Sequence, residues 1–132
     1  MSRPQEVAAP WARRWWPVGA WAAVILVMTS WPSPTLSVQV TGADKVAHVG
    51  VYAILGWLVG RAMLLPRTQR MLLIAVAGLA SFGAVDELHQ LLIPNRESTV
   101  ADWFADLIGA SLGLLTYHLA PRSNRPSTQG VA

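Results

Sequence analysis

The chain has 132 residues, 53% of them hydrophobic and 13% charged, with a mean hydropathy of +0.39 and no cysteine. That length makes one domain, and the charged fraction is about half that of an average soluble domain. A membrane protein is therefore expected, while disulfides, cysteine-ligated zinc and thiol catalysis are excluded. The net charge of +3 and the pI near 10.2 would suit nucleic acid, but the placement of the basic residues accounts for them otherwise.

Residues 1–14 form a polar, irregular N-terminal segment with Pro4, Pro10, Arg3, Arg13 and Arg14. Residues 15–31 are apolar and uncharged, with Trp15, Trp16 and Trp31 at the two ends, as in the aromatic belt of a membrane span. The run is at the short end of spanning length, and Pro17 suits its first turn. A cleaved signal peptide would need a small-x-small site after the run; Trp31-Pro32 stands there instead, so an uncleaved first span is expected. Residues 32–43 are an uncharged loop rich in turn residues. The second apolar run covers 44–65 and is interrupted only by Lys45, His48 and Arg61. After a polar turn at Pro66–Arg70, the third run covers 71–93. Pro94–Ser98 reverses the chain into a fourth run over 99–119, and residues 120–132 make a polar tail whose composition predicts disorder. No run alternates as a strand would. The fold class is all-α: a polytopic four-helix transmembrane bundle over 15–119.

Orientation follows from the Lys/Arg bias of the connecting segments. With the N-terminus inside, the inner segments hold Arg3, Arg13, Arg14, Arg61, Arg67, Arg70, Arg122 and Arg125, and the outer ones hold Lys45 and Arg96, which accounts for all ten basic residues. Both termini are then cytoplasmic, the membrane is a plasma (inner) membrane of bacterial type, and nucleic-acid binding has no remaining support.

This topology brings the chain's few ionisable groups together. At about 1.5 Å per residue, Asp44, Arg96 and Glu97 fall at the outer mouth. His48, His89, Gln90 and Asp102 lie about one turn in, roughly 6 Å. Tyr52, Asp86, Glu87 and Asp106 lie about two turns in, near 12 Å. Asp44, His48 and Tyr52 share one stripe of the second helix, Gly83, Glu87 and Gln90 share a face of the third, and Asp102, Asp106, Gly109 and Gly113 line one stripe of the fourth. Charges inside spans cost roughly 2.5–3.5 kcal/mol each at mid-bilayer, so these groups should face inward and meet, with the last three helices as walls. Gly56-x-x-x-Gly60 and Gly109-x-x-x-Gly113 would let helices approach closely.

The pieces Asp44-Lys45-x-x-His48-x-x-x-Tyr52, Asp86-Glu87-x-His89-Gln90, Pro94-x-Arg96 and Asp102-x-x-x-Asp106-x-x-Gly109 together resemble the VanZ-like membrane proteins. They cover residues 44–113, and their order and spacing make the match more specific than any single piece. The family usually has Gly where this chain has Asn95, which also tolerates left-handed geometry. The second acidic position of the last helix, Asn in many relatives, is Asp106 here and adds a proton carrier. The family's name comes from a protein giving low-level resistance to the glycopeptide teicoplanin, and many members are uncharacterised.

Each residue also has a plainer role. Asp102 follows Thr99 at capping-box spacing, Lys45 suits snorkelling, Arg96 suits a turn cation pairing Glu97 or Asp102, and a basic partner would neutralise Glu87 and Asp106. On the functional side, Glu87, His48, His89, Asp102 and Asp106 form the candidate catalytic set. The imidazoles change charge near neutral pH, and poorly solvated carboxylates suit acid–base work. Asp44, Lys45, Tyr52, Asp86, Gln90 and Arg96 form the candidate binding set, with Lys45 and Arg96 suited to an anionic headgroup. Two histidines and carboxylates have the donors of a metal site, but H-E-x-x-H spacing is missing, and neither a metal nor another cofactor is expected. Three functions fit: an enzyme or modifying factor acting on a lipid-linked or anionic envelope component, a non-catalytic binding or transport protein, and a structural membrane partner. The expected partners are membrane lipids, and the sequence sets no oligomeric state.

Overall fold

The computed structural model describes residues 10–32, 42–63 and 68–120. These residues form four helices and no strand: α1 (Pro10–Thr29), α2 (Ala43–Met63), α3 (Gln69–Gln90) and α4 (Val100–Leu119). Most of the 32–43 loop, the start of the 66–70 turn, the first nine residues and the tail from 121 lie outside the described residues. So do Arg3, Arg67, Arg122 and Arg125 of the charge count.

Local chemistry explains where the helices begin. α1 is helical from the first described residue, Pro10, five residues before the apolar run, and Arg13 and Arg14 within it are good helix formers. Pro17 therefore falls inside α1 rather than in its first turn, where its missing N–H removes one rung of the ladder. The Thr68 hydroxyl accepts from the Met71 N–H to start α3. Thr99 and Asp102 form a reciprocal capping box at the start of α4. Between α3 and α4 the Arg96 N–H donates to the Ile93 carbonyl over 3.2 Å, and Asn95 has φ +60°. Proline followed by a left-handed residue is the pattern of a type II turn.

α2 and α4 make the most extensive contact, α1 lies against α2, and α3 lies against α4. The α2–α4 seam is close because its glycines leave nothing between the backbones. A Cβ on Gly56 would run into the backbone of Ala110, one on Gly109 into Val49, and one on Gly113 into Ala53. Indole N–H groups tie the outer helices on: Trp21 of α1 donates to the Val51 carbonyl at 3.0 Å, and Trp103 of α4 to the Ala80 carbonyl at 2.9 Å.

The distribution of polarity is inverted relative to a soluble protein. Asp86, Glu87, Gln90, Asp102 and Asp106 are buried, while Trp16, Val27, Leu73, Leu88, Leu92, Ile108 and Leu119 are among many large apolar side chains left exposed. Soluble monomers seldom expose contiguous apolar surface on this scale. α2 and α3 are long and apolar enough to cross a membrane. Among the described helices, α1 and α4 fall short of that hydropathy, since Arg13, Arg14 and the tryptophans lower α1 and Asp102 and Asp106 lower α4.

The seam yields the first prediction. Gly113→Ala should destabilise the fold by about 1–3 kcal/mol through overpacking, whereas Gly78→Ala, with nothing within 4 Å of its Cβ position, should not. Thermal unfolding of both variants in detergent compares the two.

Candidate functional site

The C-terminal ends of α1 and α3 and the N-terminal ends of α2 and α4 lie at the same end of the bundle, and the polar residues gather there. The centre is a pair joining α2 to α4: His48 Nδ1 lies in hydrogen-bond contact with Asp106 Oδ1 at 2.8 Å. Glu87 of α3 brings Oε1 to 4.0 Å from the same nitrogen, while its Oε2 accepts from the Ser98 hydroxyl. Asp106 and Glu87 are buried and His48 is half-buried. The helical stripes put these groups at one level, and the glycine seam holds α2 and α4 near enough for the contact. Gly109 lies one turn beyond Asp106 and meets Val49, the neighbour of His48.

Around this centre the other carboxylates are matched individually. Asp102 accepts from the Lys45 ammonium on Oδ1 at 3.1 Å and from the backbone and hydroxyl of Thr99 on Oδ2. Lys45 also pairs with Asp44 at 3.1 Å. Asp102 thus has both its capping role and an ion pair, and Lys45 is engaged by carboxylates rather than simply snorkelling. Asp86 accepts from the Tyr52 hydroxyl at 3.0 Å and from the Thr29 hydroxyl at 2.7 Å. Hydrogen bonds to a charged group contribute about 1.5–3 kcal/mol each, so these contacts offset much of the cost of burying the carboxylate.

Two of the predicted residues take partners in the last turn of α1 and the two residues that follow it. His89 Nε2 lies 2.8 Å from the Ser30 hydroxyl, away from the His48–Asp106 pair. Arg96 is not paired with Glu97 or Asp102: its guanidinium donates to the carbonyls of Trp31 at 3.0 Å and Met28 at 2.9 Å, closing the open carbonyl end of α1. α1 is therefore a wall of the site, which the expectation of three walls omitted. A cavity of about 130 Å³ lies between α1, α2 and α3, lined by Ile25, Met28, Thr29, Ala47, His48, Val51, Tyr52, Asp86 and Arg96. Hydrogen bonds to backbone carbonyls leave no spacing in the sequence, and Thr29 and Ser30 there read only as the end of an apolar run.

Among the described residues, three buried polar side-chain atoms have no hydrogen-bond partner: Glu87 Oε1, Gln90 Nε2 and Asp106 Oδ2. Buried polar groups are rarely left so, and each calls for an explanation. His48, Glu87 and Asp106 also bring ligand-type atoms within 4.8 Å of one another. The missing H-E-x-x-H spacing could not reveal this grouping, because its members come from three helices.

Fold and site together define an all-α protein with an apolar exterior and a histidine–carboxylate cluster buried at one end of a four-helix bundle. The VanZ/LLP1 family model matches residues 7–121. This covers most of the chain, which belongs to that family. No curated protein and no solved structure matches the chain.

The Asp86 contacts are testable. Tyr52→Phe should lower stability by about 1.5–3 kcal/mol, the range for hydrogen bonds to charged groups, and Tyr52→Phe combined with Asp86→Leu should recover part of the loss by removing the stranded charge. Detergent-resistant melting of the single and double variants measures both.

Proposed function

We propose that this chain is an integral protein of a bacterial-type plasma membrane, crossing it four times with both termini cytoplasmic. Its polar pocket then opens at the outer face and acts on a lipid-linked or anionic component of the cell envelope. The observation that carries this reading is the cavity wall, where His48 is oriented by buried Asp106 beside Glu87 in a bundle otherwise faced with apolar side chains. A carboxylate on one imidazole nitrogen fixes the ring and leaves the other nitrogen for proton transfer.

The surroundings of the pocket favour a lipid-linked substrate over a free solute, because the cavity lies in a bundle faced with apolar side chains. The substrate's tail would stay in the acyl layer against the exposed apolar faces of the helices. His48 and Arg96 on the cavity wall offer polar groups to the headgroup of an incoming molecule. Tolerance of glycopeptides such as teicoplanin would follow if that molecule is an envelope component such antibiotics meet.

Two experiments test this. The chain has no cysteine, so a thiol introduced as Glu97→Cys in the α3–α4 turn is the sole reporter of orientation. It should react with a membrane-impermeant maleimide in intact cells, and labelling only after lysis would refute an outward-facing pocket. Native mass spectrometry of protein extracted in mild detergent should find an anionic lipid-linked species bound to the wild type. Glu87→Gln should accumulate normally yet fail to convert that species. Loss of accumulation with no bound species in the wild type would leave the cluster a purely structural role.

A further inference from the structure

The buried carboxylates at this end of the bundle are not neutralised alike. Asp102 has Lys45 on one oxygen and Thr99 on the other, and Asp86 has a hydroxyl on each. Glu87 and Asp106 share one imidazole, 4.0 Å from the first and 2.8 Å from the second. Each still keeps an oxygen without a partner, in residues only 7% and 1% exposed. With both carboxylates ionised and His48 protonated, these three side chains would carry one surplus negative charge where solvation is poor. An uncompensated buried charge is costly.

We propose that a divalent transition-metal cation binds between α2, α3 and α4, held by His48 Nδ1, an oxygen of Glu87 and an oxygen of Asp106. Two carboxylates and a neutral imidazole carry two negative charges, which one dication cancels. The spacing is suitable. Ligands about 2.1 Å from a tetrahedral ion lie roughly 3.4 Å from one another, and the 2.8 Å and 4.0 Å separations from Nδ1 bracket that value. The ligand atoms of all three side chains are within 4.8 Å of one another, so small rotations complete the set. One imidazole with carboxylates suits zinc, manganese or iron, and does not supply the all-oxygen shell of calcium. Three protein ligands leave coordination positions open, the arrangement of a cation that works on a substrate, and His48 borders the cavity. Without the cation, a proton on Nδ1 occupies its place between His48 and Asp106.

This inference deepens the proposed function by naming a cation beside the pocket, joined to it through His48, and it takes from that proposal only the location. The test uses Mn²⁺ alone, without lipid. Chelator-treated full-length protein in detergent should take up one Mn²⁺ per chain, displaceable by Zn²⁺. Electron spin-echo modulation of the bound ion should show coupling to a single imidazole nitrogen. Glu87→Gln and Asp106→Asn should each weaken binding at least roughly tenfold, while Glu97→Gln should bind like the wild type. Absence of stoichiometric uptake by the wild type, bound Mn²⁺ without nitrogen coupling, or folded Glu87 and Asp106 variants binding at full strength would each overturn the site. Should those variants not fold, the nitrogen coupling in the wild type decides. Native mass spectrometry of the chelated protein separates the two proposals. Lipid retained by protein that never binds Mn²⁺ refutes the cation and spares the lipid. Mn²⁺ bound by protein that never holds lipid does the reverse.

Discussion

Burial of carboxylates between helices is the constraint on which the rest of this structure depends. Asp86, Glu87, Asp102 and Asp106 lie at one end of the bundle with little access to solvent. An ionised group in such a place is stable only against a partner of matching chemistry. Three of the four find such partners on other helices: Asp86 on α1 and α2, Asp102 on α2, and Asp106 on α2. Glu87 instead bonds Ser98 of the α3–α4 turn. Each cross-helix contact fixes a register that apolar packing alone would leave free to slide. The glycine seam sets the distance at which this works. Gly109 brings α4 onto the backbone at Val49, one residue from His48 and one turn from Asp106, so the fit of one contact determines the other.

The parts of this arrangement that obey helical periodicity were legible in the sequence. Asp44, His48 and Tyr52 share a stripe by their spacing of four, as do Asp102 and Asp106, and those stripes predicted that His48, Glu87 and Asp106 would meet. The tight α2–α4 approach, the capping box and the left-handed Asn95 were also readable, because each has a local signature. The role of α1 was not. Its hydroxyls at Thr29 and Ser30 sit at the end of an apolar run, and its carbonyls have no signature at all. In the sequence Arg96 and His89 therefore read only as members of the polar layers, and the structure adds their partners at the end of α1. The helix of α1 extends beyond the apolar run on its N-terminal side, since hydropathy marks what lipid tolerates and Arg13 and Arg14 are still good helix residues.

The inversion of polarity links fold to surroundings. In water, exposed Val27, Leu92 and Leu119 would favour aggregation, and the polar cluster would gain more from solvent than from burial. In an acyl layer both features become favourable, since lipid accepts the exterior and provides nothing to compete for the interior hydrogen bonds. The same logic explains why the polar groups gather at one end. There the turn at Pro94–Ser98 and the open carbonyls of α1 already require polar partners, and Arg96 and Ser98 satisfy neighbours on both sides.

What remains is the difference between Asp106 and the other carboxylates. Asp102 and Asp86 have donors on both oxygens, a complete arrangement with nothing left to bind. Asp106 has one donor, an imidazole whose own charge depends on a proton, and its second oxygen lies near Gly83, where a side chain would begin to fill the space. Glu87 likewise has one committed and one open oxygen. A network built only to pin helices would be expected to close these positions, because each open one costs stability. Two oxygens stay open in one buried cluster, Glu87 Oε1 near the imidazole and Asp106 Oδ2 toward Gly83, and the proposed cation would close both.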